Sequence, residues 1–320
     1  MPQNVVKALF FRNSFKSYTP KKVIVDLLRL YVLYVLLAMV IMTGLKDKLI
    51  LFPYQDVSWK PIVKDMESKF NCQAQELKFK AKDGSLLSAL YIKSKDPKVD
   101  KVAIVSHGNA GNLGHRIGLA SYLLLAGSSV LLYDYRAFGE SEGQAKLGNI
   151  IEDGLSAYDY TANTLGYKPE NIILYGESIG CGVTTSIMNE RKASAVILQS
   201  PFVSLMKTAR DKLFFLCTVP DLVTGKEQLD NLAAVKKAHP PLLIMHGDKD
   251  FTLPGKYSDE LFAAASEPKQ LFIVKGAGHN DVYSDPKNGV LGALKNFIQG
   301  LPKQPSQTES KAALKALQEI

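Results

Sequence analysis

Residues 171–190 constrain this chain more than any other stretch. A short apolar, β-branched run (NIILY, 171–175) passes through Gly176-Glu177-Ser178-Ile179-Gly180 into a helical pattern with no loop between. A strand that becomes a helix over so few residues forces the turning residue into a strained backbone. Side chains two positions to either side would collide, which explains glycine at both 176 and 180. Strand-like runs alternate with helical ones from residue 102 to residue 299, which predicts a mostly parallel sheet with helices on both faces. Ahead of that pattern, residues 75–81 and 86–92 flank the turn signal Asp83-Gly84 and predict an antiparallel pair.

The same turn exposes the Ser178 hydroxyl and aims a helix N-terminus at it. A serine hydroxyl is a poor nucleophile at neutral pH; it needs an imidazole to take its proton and a carboxylate to hold that imidazole in the right tautomer. Two acids, Asp248 and Asp250, lie just past the strand-like residues 241–245. Of five histidines only His279 follows them, in a small-residue loop after the strand-like residues 270–275. His107, His239 and His246 precede the acids, and His115 falls on a helical pattern. The Ile179 amide is expected to point where an oxyanion develops. A second donor is expected from the loop after the strand-like residues 102–106, where His107 and Gly108 shape the turn and Asn109, or its neighbour Ala110, offers its N–H. A second G-x-S-x-G occurs at Gly139-Glu140-Ser141-Glu142-Gly143, but a polar loop follows it. No helix dipole backs Ser141, and two glutamates oppose a developing negative charge there. The strand-turn-helix context therefore selects Ser178.

Together with the loop HGNAGN (107–112), the stretch Asp134-Tyr135-Arg136, Ser200-Pro201-Phe202 and His279-Asn280-Asp281, these motifs resemble the α/β-hydrolase superfamily, and most closely its membrane-anchored branch. The resemblance covers residues 75–301. It implies the α/β-hydrolase fold with an eight-stranded sheet, a short lid in the insertion over about 201–240, and activity on esters, thioesters or amides. It also selects Asp250 as the acid: the pattern G-x-x-D-x-x-V-P is met by residues 247–254 with Leu253 in place of valine, leaving Asp248 as a turn residue. Ala137 departs from the branch, which tends to carry glycine there, and this bears only on the conformation of that loop. The expected catalytic set is Ser178, Asp250 and His279, with the amides of Ile179 and Asn109 as oxyanion hole and no metal or organic cofactor. The expected reaction is cleavage of a small-molecule or lipid acyl ester or thioester through an acyl-enzyme. A peptidase of the same fold and a catalytically silent membrane-tethered interaction protein are the alternatives.

The net charge of +8 is concentrated at one end. Residues 1–48 hold eight Lys and Arg against Asp26 and Asp47, leaving 31 basic and 29 acidic residues for the rest. A nearly neutral domain without a basic stripe excludes nucleic-acid binding. The basic excess flanks residues 30–45, sixteen residues without a charge. Extended back to residue 23, with Asp26 and Arg29 able to pair on one face, this run predicts a single-pass transmembrane helix over 23–45, after a basic segment (1–22) and before an approach segment (46–74). The long apolar run and the lack of a following A-x-A site argue against a cleaved signal peptide. Arg12, Lys16, Lys21 and Lys22 outnumber Lys46 and Lys48, so the positive-inside rule puts the catalytic domain outside the cytosol. Cys72, Cys181 and Cys217 have no metal spacing, and Cys181 is expected to be a small packing residue. Residues 213–217 form an apolar patch in the lid region, read either as packing on the core or as a greasy wall or membrane contact. Residues 302–320 predict a polar tail ending in a weak amphipathic helix.

Overall fold

The computed structural model describes residues 19–41, 45–56, 59–220 and 229–302. The basic segment as far as residue 18 and the tail beyond Pro302 lie outside the described residues. The chain divides into two compact units: residues 1–46 with 213–225, and residues 47–212 with 226–320.

In the first unit the helix Pro20–Val40 begins three residues before the expected start, because Thr19 accepts from the Lys22 amide (3.4 Å) and proline occupies its first turn. Its 21 residues rise about 30 Å at ~1.5 Å each, the thickness of a bilayer core. Leu27, Leu28, Leu30, Leu33 and Leu37 stand exposed along it, and Asp26 pairs with Arg29 at 3.3 Å. The helix is long and apolar enough to cross a membrane, a property that a membrane span and a signal sequence share. The Tyr31 hydroxyl donates to the Thr218 carbonyl (2.8 Å), and the Tyr34 and Thr218 hydroxyls meet at 3.2 Å. Within the insertion expected to carry the lid, residues 213–225, including the 3-10 turn Phe214–Thr218, group with this helix, and the rest of 201–240 groups with the second unit.

Among the described residues the second unit holds ten strands: β1 (Phe52–Pro53), β2 (Cys72–Lys80), β3 (Leu86–Ser94), β4 (Val102–Ser106), β5 (Ala110–Gly111), β6 (Ser129–Tyr133), β7 (Ile172–Glu177), β8 (Ala195–Gln199), β9 (Leu242–Gly247) and β10 (Lys269–Val274). Eight form one sheet in the order β10-β9-β8-β7-β4-β6-β3-β2. Its strands run parallel from β10 to β6, and β3 pairs antiparallel with both β6 and β2, so the sheet is mixed at one side. Central strands are apolar except at their ends because both faces are covered. In β4, Val102 and Ile104 enter one core and Ala103 and Val105 the other; in β7, Ile172 and Leu174 oppose Ile173 and Tyr175.

Residues 46–74, expected as an approach to the domain, are largely built into it. Leu51, Trp59 and Met66 are buried, the helix Lys60–Lys69 packs beside β2, and β1 pairs in parallel with β5 as a separate two-stranded sheet. The parallel order places the ends of β4, β7 and β9 at one edge, with β7 between the other two along the sheet.

Ala137 adopts φ 70°, which accounts for the glycine that the resemblance expects there. A left-handed alanine costs roughly 1–2 kcal/mol, part of which the greater freedom of an unfolded glycine offsets. Ala137→Gly should stabilise the protein by about 1 kcal/mol, read as a Tm rise of about 2–4 °C in thermal unfolding; an unchanged or lower Tm would contradict this.

Candidate active site

The junction after β7 has the expected geometry. Ser178 adopts φ 55°, and the helix Gly180–Glu190 starts two residues later. The Ser178 amide donates to the Gln199 carbonyl of β8 (3.0 Å), fixing the turn to the neighbouring strand. A Cβ at 176 would lie 2.7 Å from Cys181 Cα and from the Gly180 carbonyl oxygen. One at 180 would overlap the Ser106 carbonyl oxygen at the end of β4. The two glycines therefore serve different contacts: one admits the helix to its own strand, the other admits it to the next strand. The Cys181 thiol is buried under the turn, 3.3 Å from the carbonyls of Gly176 and Gln199, in the packing role expected of it.

Three side chains far apart in sequence meet at this edge. His279 Nε2 lies 3.1 Å from Ser178 Oγ, and its Nδ1 lies 2.7 Å from Asp250 Oδ2. A carboxylate can only accept, so Nδ1 carries the proton and Nε2 turns its lone pair to the serine hydroxyl. The loops that bring acid and base together are tied to each other: the Lys249 amide donates to the Ala277 carbonyl (2.9 Å) and the Gly276 amide to Asp248 Oδ1 (2.7 Å). Asp248, the rejected acid, thus holds the histidine loop.

Asp250 is buried and receives four donors. The amides of Thr252 and Leu253 reach Oδ1 at 2.8 Å each, while His279 and, at 3.3 Å, His246 Nε2 approach Oδ2. Burial alone would raise this carboxyl; the hydrogen bonds from His246, His279 and Leu253 outweigh it and hold Asp250 well below the ordinary carboxylate range. His246 is itself fully buried, its Nε2–H shared with the Leu253 carbonyl (2.8 Å) and its Nδ1 facing the Ser258 hydroxyl (2.6 Å). Sequence reasoning set His246 aside because it precedes the acid. Its position four residues before Asp250 was the available signal for a supporting role.

The loop after β4 lies over the turn: a Cβ at Gly108 would sit 3.2 Å from Glu177 Oε1. Among the described residues neither the Asn109 nor the Ile179 amide has an acceptor, as an oxyanion pair requires. Two further devices fix this loop, and sequence reasoning found neither. Arg116 grips Glu177 with two 2.9 Å bonds and donates to the Ala110 carbonyl (2.9 Å), joining the residue before Ser178 to the loop. Residues 50–56 are stitched along it: the Asn109 side chain donates to Ile50 O (3.0 Å), the Phe52 amide to Asn109 O (2.8 Å), and the Asn112 side chain to Tyr54 O (3.2 Å) and Asp56 O (2.6 Å). Beneath the loop, burial pulls His107 down to about 3 and pushes Asp134 up to about 7, with His107 Nε2 3.5 Å from Asp134 Oδ1.

The second motif has another job. Ser141 is buried; its hydroxyl donates to the Asp134 carbonyl (2.9 Å) and accepts from the Ser88 amide (2.8 Å), bridging β3 to the end of β6. Its loop is anchored by buried Arg136, whose Nε meets Asp153 at 2.7 Å and whose other nitrogens reach Asp83 (2.6 Å) and Glu152 (3.2 Å). Among the described residues no cluster of His, Cys, Asp and Glu has the form of a metal site.

A family model described as serine aminopeptidase, S33, matches residues 97–231. The human alpha/beta hydrolase domain-containing protein 17B is 30% identical over 223 residues, covering 67% of this chain and 72% of the relative. The chain belongs to the α/β-hydrolase superfamily. An uncharacterized protein of Mycobacterium tuberculosis is 31% identical over 216 residues, 68% of this chain and 76% of the relative. Among solved structures, an esterase of Pyrococcus furiosus overlays with a TM-score of 0.64 at 20% identity, covering 81% of this chain and 99% of that one. The α/β-hydrolase fold accounts for the Ser178 turn, the acid loop after β9 and the histidine loop after β10 standing at one edge of the sheet.

Because the native Asp250 carboxyl is depressed, the stability it contributes is complete above its unfolded value, about 3.9, and is lost as pH falls through the lower native value. Thermal unfolding followed from about pH 6 to about pH 3 should show wild type losing Tm faster than Asp250→Asn below about pH 4. Parallel curves would show that these donors do not hold the carboxylate ionised.

Proposed function

We propose that this hydrolase is a membrane-anchored serine hydrolase that cleaves carboxylic ester or thioester bonds through an acyl-enzyme. The observation that carries this reading is the unbroken hydrogen-bonded chain from Ser178 through His279 to Asp250. In it Ser178 Oγ attacks the acyl carbon while His279 Nε2 takes its proton, and Asp250 stabilises the imidazolium that forms. The amides of Ile179 and Asn109 receive the oxyanion. His279 returns the proton to the leaving alcohol or thiol, and water, deprotonated by the same nitrogen, releases the acid and restores Ser178. The helix Pro20–Val40 supports the anchor by its length and its exposed apolar side chains.

The family description raises an aminopeptidase as a second reading. An aminopeptidase must hold a free α-ammonium with a carboxylate near the scissile bond. Glu177, the carboxylate beside Ser178 in the chain, has both oxygens taken by Arg116, which favours acyl esters over peptide N-termini.

A fluorophosphonate probe should label wild type and Ser141→Ala and fail to label Ser178→Ala, with kcat on p-nitrophenyl butyrate lowered on the order of 10^4- to 10^6-fold in the last. Ser141→Ala should instead cost about 1–3 kcal/mol of stability through its two lost hydrogen bonds. Labelling that persists in Ser178→Ala and vanishes in Ser141→Ala would reverse the assignment. Arg116→Met leaves Glu177 unbalanced beside the oxyanion site and frees the Ala110 carbonyl, so kcat should fall about 10- to 100-fold with KM little changed. Adding Glu177→Gln should recover part of that loss; no recovery would mean that charge is not what Arg116 supplies.

A further inference from the structure

The hydrogen bonds that tie residues 50–56 to the Asn109 loop use backbone groups of that segment, and several apolar side chains of the neighbourhood stay open to solvent. Leu49 (60% exposed), Phe52 (51%) and Tyr54 (49%) project from it, beside the proposed oxyanion donors. On the other side of β7, Phe251 follows Asp250 and is 91% exposed, the most exposed of the large apolar side chains among the described residues. An apolar group so open to water gains nothing for folding, and the packed core shows no shortage of buried alternatives. Apolar side chains therefore bracket the Ser178 turn at the open edge of the sheet. Lys48 and Lys249, both exposed, stand next in sequence to Leu49 and near Phe251. The acids in this region are partly engaged: Asp248 takes the Gly276 amide and lies 3.6 Å from Lys275, and Asp56 lies 3.5 Å from the Tyr54 hydroxyl.

We propose that Leu49, Phe52, Tyr54 and Phe251 form a membrane-contacting rim around the active site, which rests on a lipid surface and takes its acyl substrate from it. Apolar and aromatic side chains interleaved with lysine suit the headgroup boundary, where rings and methyl groups enter the acyl layer and ammonium groups meet phosphate. Continuity of the chain selects a bilayer over a protein partner as occupant. Only residues 41–48 separate Leu49 from the end of the apolar helix, and eight residues extend at most about 30 Å, so a chain anchored through that helix keeps Leu49 within that reach of the bilayer. The tether supplies the surface at high effective concentration, so a small rim of four side chains suffices to orient the site. This rests on the reading of Pro20–Val40 as a membrane span and of Ser178 as the nucleophile.

The test uses the full chain reconstituted into phosphatidylcholine vesicles. Tryptophan is placed at the rim by Phe251→Trp and, as a control, at the opposite edge of the sheet by Lys98→Trp, in the exposed loop before β4. Vesicles with brominated acyl chains should quench the added Phe251→Trp emission at least twofold relative to unbrominated ones and leave Lys98→Trp unchanged. Equal emission at residue 251 in the two vesicles overturns the rim. In a second arm, Leu49→Ser with Phe251→Ser should lower turnover of vesicle-embedded p-nitrophenyl palmitate about tenfold while soluble p-nitrophenyl acetate stays within twofold of wild type. Loss on both substrates, or on neither, also overturns it. Fluorophosphonate labelling and recovery of the chain in the membrane fraction are scored separately. If either fails, the hydrolase or anchor reading falls, and the quenching of residue 251 by added vesicles still decides the rim.

Discussion

The close approach of the N-terminus of the helix Gly180–Glu190 to the end of β4 is the constraint on which the site depends. At Gly180 even one carbon atom would strike the Ser106 carbonyl. That approach leaves a single residue, Ser178, to turn the chain from strand to helix, and so sets its φ at 55°. It also lays the start of the Asn109 loop over the same turn, since β4 ends where the helix begins. A bulkier residue at 180 would push the helix outward and separate the Ile179 and Asn109 amides, even with every catalytic side chain intact. The glycines thus act on chemistry through backbone distance.

Electrostatics at the site follow one plan, in which each charge has a fixed partner before any substrate arrives. Asp250 is surrounded by four donors, so it remains an acceptor for His279 and has no reason to take a proton from it. Glu177, which would otherwise repel a developing oxyanion, is neutralised by Arg116. His246 and Asp248 work one step farther out, the first on the carboxylate and the second on the histidine loop. Such groups, held in place by packing, need little reorganisation during the reaction, which is where preorganised sites gain most of their advantage over water.

The central fold and the Ser178, Asp250 and His279 grouping were legible because their signals are local. Strands β4, β7, β9 and β10 are short apolar runs, their observed ends shifted from the sequence reading by no more than two residues, and the glycine pair marks the turn without reference to anything distant. What stayed hidden depends on partners remote in sequence. Arg116 and Glu177 are 61 residues apart, and Asn112 reaches residues 54 and 56, so no periodicity or motif announces either contact. Residues 46–74 looked like a linker because Leu51, Trp59 and Met66 are too sparse to form a pattern, yet each is buried. Ser141 was set aside for want of a helix behind it. The deeper reason is that its hydroxyl already bridges Ser88 and Asp134, a fact only the fold contains.

The position of residues 50–56 bears on what the proposed anchor would do for the site. If the apolar helix were joined to the domain by a free linker, the membrane and the chemistry would be independent, and the site could face any direction. Residues 50–56, which follow the apolar helix in sequence, are held along the proposed oxyanion loop by hydrogen bonds to which Ile50, Phe52 and Tyr54 each contribute one backbone group. With the proposed anchor in the membrane and the proposed rim on the same lipid surface, substrate and anchor share one surface, and the residues that hold the Asn109 loop are among the first after the apolar helix in sequence.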